Sequence, residues 1–225
     1  VLREQSGNLP EVLQLEGKLA TATGDYQAAI SAYRQAYELA ETNFNLLQLE
    51  TAVWDSGDQD GALTLLETWL EKIPGDQLSQ LRLAERYQAI GRDSDAERVY
   101  LGLLKALPEN TVVLNNLAWL LRDSDRTRAL EYAEQAHAVA PASPAVADTL
   151  AFLLASSDNQ RAQILIRDAL KSAPDNPNYI YHLGLILNEA SQHAEARQVL
   201  TELLSEHDNF PSAADARQLL SQLEG

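Results

Sequence analysis

Leu117-Ala118-Trp119-Leu120-Leu121, Leu150-Ala151-Phe152-Leu153-Leu154 and Leu183-Gly184-Leu185-Ile186-Leu187 decide the fold, because each begins 33 residues after the one before. Self-similarity at a fixed period of this size marks a repeat architecture, in which each small unit buries its apolar face against its neighbours. The same spacing carries Ala140-Pro141-Ala142-Ser143-Pro144 into Ala173-Pro174-Asp175-Asn176-Pro177. Upstream, Gly24-Asp25-Tyr26 with Ala29, Gly57-Asp58-Gln59 with Ala62, and Gly91-Arg92-Asp93 with Ala96 repeat it, their glycines 33 and 34 residues apart.

One period, residues 77–110, reads as helix, turn, helix, turn. Leu83, Ala84 and Tyr87 share one helical face. Gly91 ends that helix, as a C-terminal glycine does by taking a left-handed conformation. Asp93 or Ser94 is the expected cap of the next helix. Ala96, Tyr100 and Leu103 form its apolar stripe, and Pro108 stops it. No stretch sustains the period-2 alternation of a strand.

This pattern resembles the tetratricopeptide repeat, a helix–turn–helix unit of about 34 residues. The resemblance places six repeats at 10–42, 43–76, 77–110, 111–143, 144–176 and 177–210. It implies an all-α, right-handed superhelix, an α-solenoid. The family's small residue early in the second helix falls on Ala29, Ala62, Ala96, Ala129, Ala162 and Ala196, and its terminal proline on Pro74, Pro108, Pro141 and Pro174. Glu41 and Asp208 stand where the first and last repeats lack that proline. Residues 1–9 read as the tail of a preceding repeat and residues 211–225 as a capping helix with Leu219, Leu220 and Leu223 inward. Further repeats upstream in the parent protein are expected. No linker interrupts the array, so one continuous stack is expected.

Composition excludes several functions. The 225 residues hold 17 basic and 33 acidic side chains, a formal charge of −16, with no cysteine and no methionine. Such a chain neutralises phosphates poorly, which argues against nucleic acid and against anionic lipid surfaces. Thiolate metal sites and cysteine nucleophiles are absent. No apolar run reaches the roughly 18 residues of a membrane span, so direct insertion is not expected. Residues 1–76 carry 4 basic and 13 acidic groups, making the first two repeats the most acidic part.

Apolar and polar residues on first helices, off the packing stripe, are the candidates for binding. Asn115 with Trp119, Asp148 with Phe152, and Tyr181 with Leu185 are each four residues apart and so share a face. Their recurrence predicts one row of Trp119, Phe152 and Leu185 beside a second of Asn115, Asp148 and Tyr181. Arg122, Asn188 and His182 add polar character, and Phe44, Leu47 and Trp54 hold comparable places in repeat two. An apolar row beside hydrogen-bonding groups suits a peptide groove, since anchors supply energy and polar groups set register. Packing between neighbouring helices is the competing role of Trp119 and Phe152. The family's carboxylate clamp is missing: Lys18 is the single first-helix lysine, and Gln14, Thr51, Leu81 and Glu85 occupy the groove positions.

Chemistry is hard to place elsewhere. Ser56 to Glu67 approaches a calcium-loop spacing, but Ser56 replaces the first aspartate and residues 62–67 are expected to be helical. Among His137, His182, His193 and His207 no metal-ligand spacing occurs. No nucleophile elbow, dinucleotide fingerprint or phosphate loop is present. No enzyme activity, cofactor or metal is expected, and the expected partner is a protein or peptide.

Leu114-Asn115-Asn116-Leu117-Ala118-Trp119-Leu120, Ala129-Leu130-Glu131 with Ala133-Glu134, Tyr181-His182-Leu183, Ala194-Glu195-Ala196-Arg197 and Asn209-Phe210-Pro211 support a narrower resemblance over residues 110–223. They are similar to the C-terminal region of tetratricopeptide lipoproteins associated with the exosortase/PEP-CTERM system of exopolysaccharide-producing bacteria. That resemblance implies a periplasmic or outer-membrane-anchored scaffold, with export signal and lipid anchor upstream of residue 1. The expected function is a non-catalytic protein–protein interaction scaffold. The alternatives are a self-assembling, homo-oligomeric module and a substrate-docking domain of a larger enzyme.

Overall fold

The computed structural model describes residues 9–224 as thirteen α-helices, with no strand among the described residues. The all-α repeat fold expected from the 33-residue period is therefore present. The presumed tail of a preceding repeat falls, apart from Leu9, outside the described residues. The helices pair in sequence. They are α1 (Pro10–Ala22) with α2 (Tyr26–Leu39), α3 (Asn43–Asp55) with α4 (Gln59–Lys72), and α5 (Gln77–Ala89) with α6 (Asp93–Ala106). Then come α7 (Thr111–Leu121) with α8 (Arg126–Val139), α9 (Pro144–Leu154) with α10 (Asn159–Ser172), and α11 (Pro177–Glu189) with α12 (His193–Glu206); α13 (Ala213–Glu224) closes the series. Backbone proximity groups them into two compact units, one ending at Leu103 and one beginning at Leu104, a division the even repeat spacing does not announce.

Each pair is held by close approach at small residues. Ala29, Ala62, Ala96, Ala129, Ala162 and Ala196, one per second helix, are all 0% exposed. The facing first helices carry Gly17, Ala84, Ala118, Ala151 and Gly184 in register. A Cβ added at Gly17 would lie 2.6 Å from the Tyr33 ring, and one at Gly184 2.8 Å from Leu200 Cδ2. Larger residues fill the space around these contacts. In the first unit Tyr33, Leu49 and Val53 do so; in the second, Leu150, Leu154, Ile166, Ile186 and Leu187.

The turns inside the repeats follow from local chemistry. Gly24, Gly57 and Gly91 take φ of 74°, 93° and 73°, the left-handed region open to glycine. After each, the next N–H returns to a carbonyl five residues back: Asp25 to Ala20, Asp58 to Val53 and Arg92 to Tyr87. Asp25, Asp58, Asp125 and Asp158 then cap the second helices, each side chain accepting an N–H three residues on. The third repeat differs from expectation. Its second helix already begins at Asp93, so neither Asp93 nor Ser94 is the cap. Arg92 follows the glycine there, and Asp95 instead accepts from Arg92 and Arg98 at 2.8 and 2.7 Å.

Polar contacts tie neighbouring repeats. In the first unit Asp76 accepts from the Trp69 indole N–H at 2.6 Å, from Ser79 Oγ at 2.9 Å and from Asn43 Nδ2. In the second unit Arg126 donates to the Leu153 carbonyl at 2.8 Å and Asn159 to the Ile186 carbonyl at 2.9 Å. Arg126 thereby reaches a carbonyl in the last turn of α9, where intrahelical donors run out, while the Ile186 carbonyl accepts the Ala190 N–H as well. Arg161 pairs with Glu134, and Arg167 with Glu195, between second helices.

Two expectations follow. Ser191 holds φ 59° at the place where earlier repeats use glycine, and Gln192 N–H still returns to Leu187. Relieving that left-handed serine with Ser191→Gly raises unfolding free energy by about 1 kcal/mol, read as a higher urea midpoint. For Asp76, burial works to raise the pKa, but the hydrogen bonds from Trp69, Ser79 and Asn43 outweigh it and leave the carboxyl below its usual value. A depressed native pKa gives stability that is complete above the unfolded value and is lost as pH falls through the native one. Asp76→Asn therefore lowers stability at pH 7 by about 1–2 kcal/mol and flattens the acid limb of a stability–pH curve below about pH 4.

Candidate functional site

The second unit brings most of the sequence-derived candidates together. Trp119 near the end of α7, Phe152 near the end of α9 and His182 in the middle of α11 form a triangle of rings. Their centroids lie 5.3 Å (Trp119–Phe152), 5.6 Å (Trp119–His182) and 5.1 Å (Phe152–His182) apart, all tilted. Such offsets suit the ring quadrupoles better than flat stacking. Tyr181 adjoins His182 at 5.7 Å. Arg122 places its guanidinium over Trp119, 4.6 Å from the ring centroid, while donating to the Trp119 carbonyl at 2.8 Å.

Burial divides this set into floor and rim. Asp148, His182 and Tyr181 are 7%, 5% and 9% exposed. His182 Nδ1 lies 2.7 Å from Asp148 Oδ1, so the carboxylate fixes the imidazole between the aromatic rings. Burial raises the Tyr181 phenol pKa, and the charge of Asp215 adds to it, so the hydroxyl stays protonated at neutral pH. Trp119, Phe152, Arg122 and Asn115 are half-buried. Asn115 Oδ1 is buried without a hydrogen-bond partner. An unmet buried acceptor is costly, and any N–H brought to it would be favoured. Leu185 does not extend the ring row as the 33-residue spacing suggested; it packs against the group of Tyr181, Leu200, Phe210 and Leu219. His182, three residues earlier on the same helix, takes the place in line.

Trp54 belongs to the first unit and has different company. Arg86 lies over its ring, 4.2 Å from the centroid. Arg86 Nε also donates to Glu50 Oε1 at 2.6 Å, and Arg82 Nη1 to Glu50 Oε2 at 3.1 Å. Glu50 is 0% exposed. It stands in the register column that elsewhere holds Gly17, Ala84, Ala118, Ala151 and Gly184. A charge in a column of glycine and alanine was the signal that could have singled out Glu50; no pattern pointed to Arg82 or Arg86. Burial raises the pKa of neighbouring Glu85, against the opposing pull of Arg82 and Arg86. One repeat onward, Tyr87 donates to Glu67 at 2.6 Å, and its pKa is pushed up to about 12 by burial and by that carboxylate.

Other surfaces are plainer. Asp58, part of the calcium-like spacing, caps α4 through the Gly61 N–H. No cluster of three metal-ligating side chains occurs among the described residues, and no described helix is long and apolar enough to cross a membrane. A crevice of about 650 Å³ opens beside the second helix α8, lined by Arg126, Leu130, Glu134 and Leu153 among others. None of Trp119, Phe152 and His182 is among its lining residues.

Residues 10–43 and 153–214 each match a family model described as tetratricopeptide repeat. No curated protein matches the sequence. Among solved structures, a tetratricopeptide repeat protein from Parabacteroides merdae is similar at 16% identity and TM-score 0.76, over 96% of this chain and 86% of that one. The Cut9–Hcn1 APC/C hetero-tetramer is similar at 15% identity and TM-score 0.79; the alignment covers all of this chain and 44% of the other. A type IV pilus biogenesis factor, PilW, is similar at 19% identity and TM-score 0.66, over 80% of this chain and 89% of that one. At these identities the likeness shows the fold, an all-α tetratricopeptide-type solenoid, a fold that generally mediates protein–protein interaction.

Removing the buried carboxylate tests the first-unit cluster. Glu50→Ala leaves Arg82 and Arg86, whose side chains are 31% and 16% exposed, able to rehydrate in part. The expected loss is about 1–3 kcal/mol by denaturant unfolding, less than for a fully buried pair.

Proposed function

We propose that the second unit captures a segment of another protein across the ends of α7, α9 and α11, with Trp119, Phe152, Arg122 and Asn115 in contact. The observation that carries this reading is the half-exposed Trp119–Phe152 pair beside the unmet Asn115 acceptor. Flat, half-exposed rings bind apolar side chains at low entropic cost, and a buried carbonyl oxygen lacking a donor favours a ligand that brings an N–H. Asp148, His182 and Tyr181 form the floor that fixes the rings. Adjacent packed helices lie roughly 10 Å apart, so three first helices span ~20 Å, about six residues of extended chain. Arg122 gives the rim a cation for a carboxylate or an aromatic face. Trp54, stacked on Arg86, offers a second contact point within the first unit. No catalytic role is assigned to any residue.

The setting we propose is an assembly of the bacterial envelope, concerned with exopolysaccharide or protein sorting. The motifs of residues 110–223, similar to the exosortase-associated lipoproteins, support it. Under that reading the chain is a scaffold whose groove holds a component of the assembly.

The test is selection from a phage-displayed library of 12-residue random peptides, followed by affinity measurement on wild type and Trp119→Ala. Expected are peptides with a large apolar residue whose affinity falls at least tenfold in the variant, while its urea midpoint stays close to wild type. An array that unfolds on Trp119→Ala, or selected peptides indifferent to it, makes Trp119 a packing residue and overturns the proposal.

A further inference from the structure

Phe44 and Leu47 lie three residues apart on α3, and Leu78 and Leu81 lie three apart on α5, so each pair shares one helical face. The two pairs are in register, six and three residues before Glu50 in α3 and before Ala84 in α5. Phe44 is 57% exposed and Leu78 62%, while Leu47 and Leu81 are half-buried. Helix α3 is interior to the first unit. Gln14 of α1 donates to Asn45 Oδ1 at 2.7 Å, and Asn43 donates to Ser79 Oγ of α5 at 2.8 Å. One turn on, Arg82 donates to Thr51 Oγ1 at 3.0 Å. Asn43 and Ser79 adjoin Phe44 and Leu78, and Thr51 and Arg82 follow Leu47 and Leu81, so these two ties hold the apolar pairs side by side. Scattered exposed leucines are ordinary; large apolar side chains at matched positions on adjoining helices are not.

Carboxylates stand around this apolar block. Asp76 lies two residues before Leu78, and the hydrogen bonds from Trp69, Ser79 and Asn43 keep it ionised. Glu85 lies four residues after Leu81 on the same face, its side chain 42% exposed. Burial raises the Glu85 pKa against the pull of Arg82 and Arg86, so a further cation brought to that carboxylate is favoured. Glu41, three residues before Phe44, pairs with Lys72 at 3.4 Å, but both are exposed and such a pair is readily exchanged. Arg82 and Arg86 are turned onto Glu50. Residues 9–103 as a whole hold 7 basic and 16 acidic side chains. This setting repels polyanions such as nucleic acid and anionic lipid surfaces, and it draws a segment that is both apolar and cationic.

The spacing of the block suits a helix. Packed helices lie about 10 Å apart, and seven residues of α-helix rise about 10.5 Å. A helix laid across α3 and α5 therefore sets one turn of its apolar stripe on Phe44 and Leu47, and the turn two further on Leu78 and Leu81. Basic side chains flanking that stripe then reach the carboxylates. We propose that the first unit binds a basic amphipathic helix of a partner protein, with Phe44, Leu47, Leu78 and Leu81 holding its apolar stripe and Asp76 and Glu85 facing its lysine or arginine side chains. This surface belongs to the first unit and does not depend on the ring cluster of the second being a peptide site. The apolar block is small, so the dissociation constant is on the order of 10 μM and rises with salt.

The probe is a labelled, designed 18-residue helix with leucine at i, i+3, i+4 and i+7 spacing and lysine at every other position. It is titrated by fluorescence anisotropy with the full 225-residue chain in about 0.15 M salt. Wild type is expected to bind it, and Phe44→Gln with Leu78→Gln to weaken binding at least tenfold at an unchanged thermal midpoint, since both side chains are already exposed. Glu85→Gln is expected to weaken it about threefold. Trp119→Ala is expected to leave it unchanged, which separates this surface from the ring cluster. A probe with glutamate in place of lysine, or with glutamine in place of leucine, is expected to bind at least tenfold more weakly. A wild type that does not bind at 1 mM overturns the proposal, as does either altered probe binding as well as the original. Binding lost in Trp119→Ala but kept in the Phe44 and Leu78 variant puts the probe on the ring cluster and overturns it too. So does a wild type that dimerises without the probe while that variant stays monomeric, because the occupant is then a second copy.

Discussion

The close approach of two helices at a small residue is the constraint on which the rest of this structure depends. In all six repeats an alanine of the second helix is completely excluded from solvent. In five of them the first helix carries glycine or alanine at one register position, and a methyl group added at Gly17 or Gly184 would run into Tyr33 or Leu200 of the second helix. Contact this close fixes the crossing of each pair and leaves leucines, tyrosines and isoleucines to fill the space on either side. Because that packing consumes one stripe of each first helix, the residues beside the stripe are free for other chemistry. The ring cluster of Trp119, Phe152 and His182 stands on that freed face.

The exception to the constraint is as informative as the rule. The second repeat puts Glu50 where glycine or alanine belongs, and the resulting buried charge is met by Arg82 and Arg86 from the next first helix. An apolar contact has been replaced by an ionic one whose partners are fixed in number and direction. The neighbouring Asp76, with its three donors, works the same way. In the second unit the column of Glu50 holds Ala118, Ala151 and Gly184, and the buried pair Asp148–His182, which joins α9 to α11, lies among the aromatic rings.

How much of this was legible in the sequence depends on which physical quantity the period reports. A 33-residue repeat assigns every residue to a column, so it locates helices, turns and the alanine contact, and it brings Trp119, Phe152, Asp148 and Tyr181 to one region. The left-handed glycines could be read too, because glycine marks that conformation. Columns do not report reach between columns. That His182 rather than Leu185 would complete the ring row depends on ring size and tilt, and that Glu50 would find two arginines depends on long side chains crossing to the next helix. The cap of α6 was misplaced because Arg92 breaks the glycine–aspartate pair on which the other turns rely.

The central claim is that the freed face of α7, α9 and α11 receives a ligand, rather than the crevice beside α8. An NMR titration with a peptide from the displayed library, resolving side-chain amide, indole and aromatic signals, addresses this directly. The account predicts shifts at the Trp119 indole, the Phe152 ring, the Asn115 amide and Arg122, with the peptide N–H that Asn115 Oδ1 accepts gaining exchange protection. Shifts confined to Arg126, Leu130, Glu134 and Leu153, with the Trp119 indole unmoved, would contradict it.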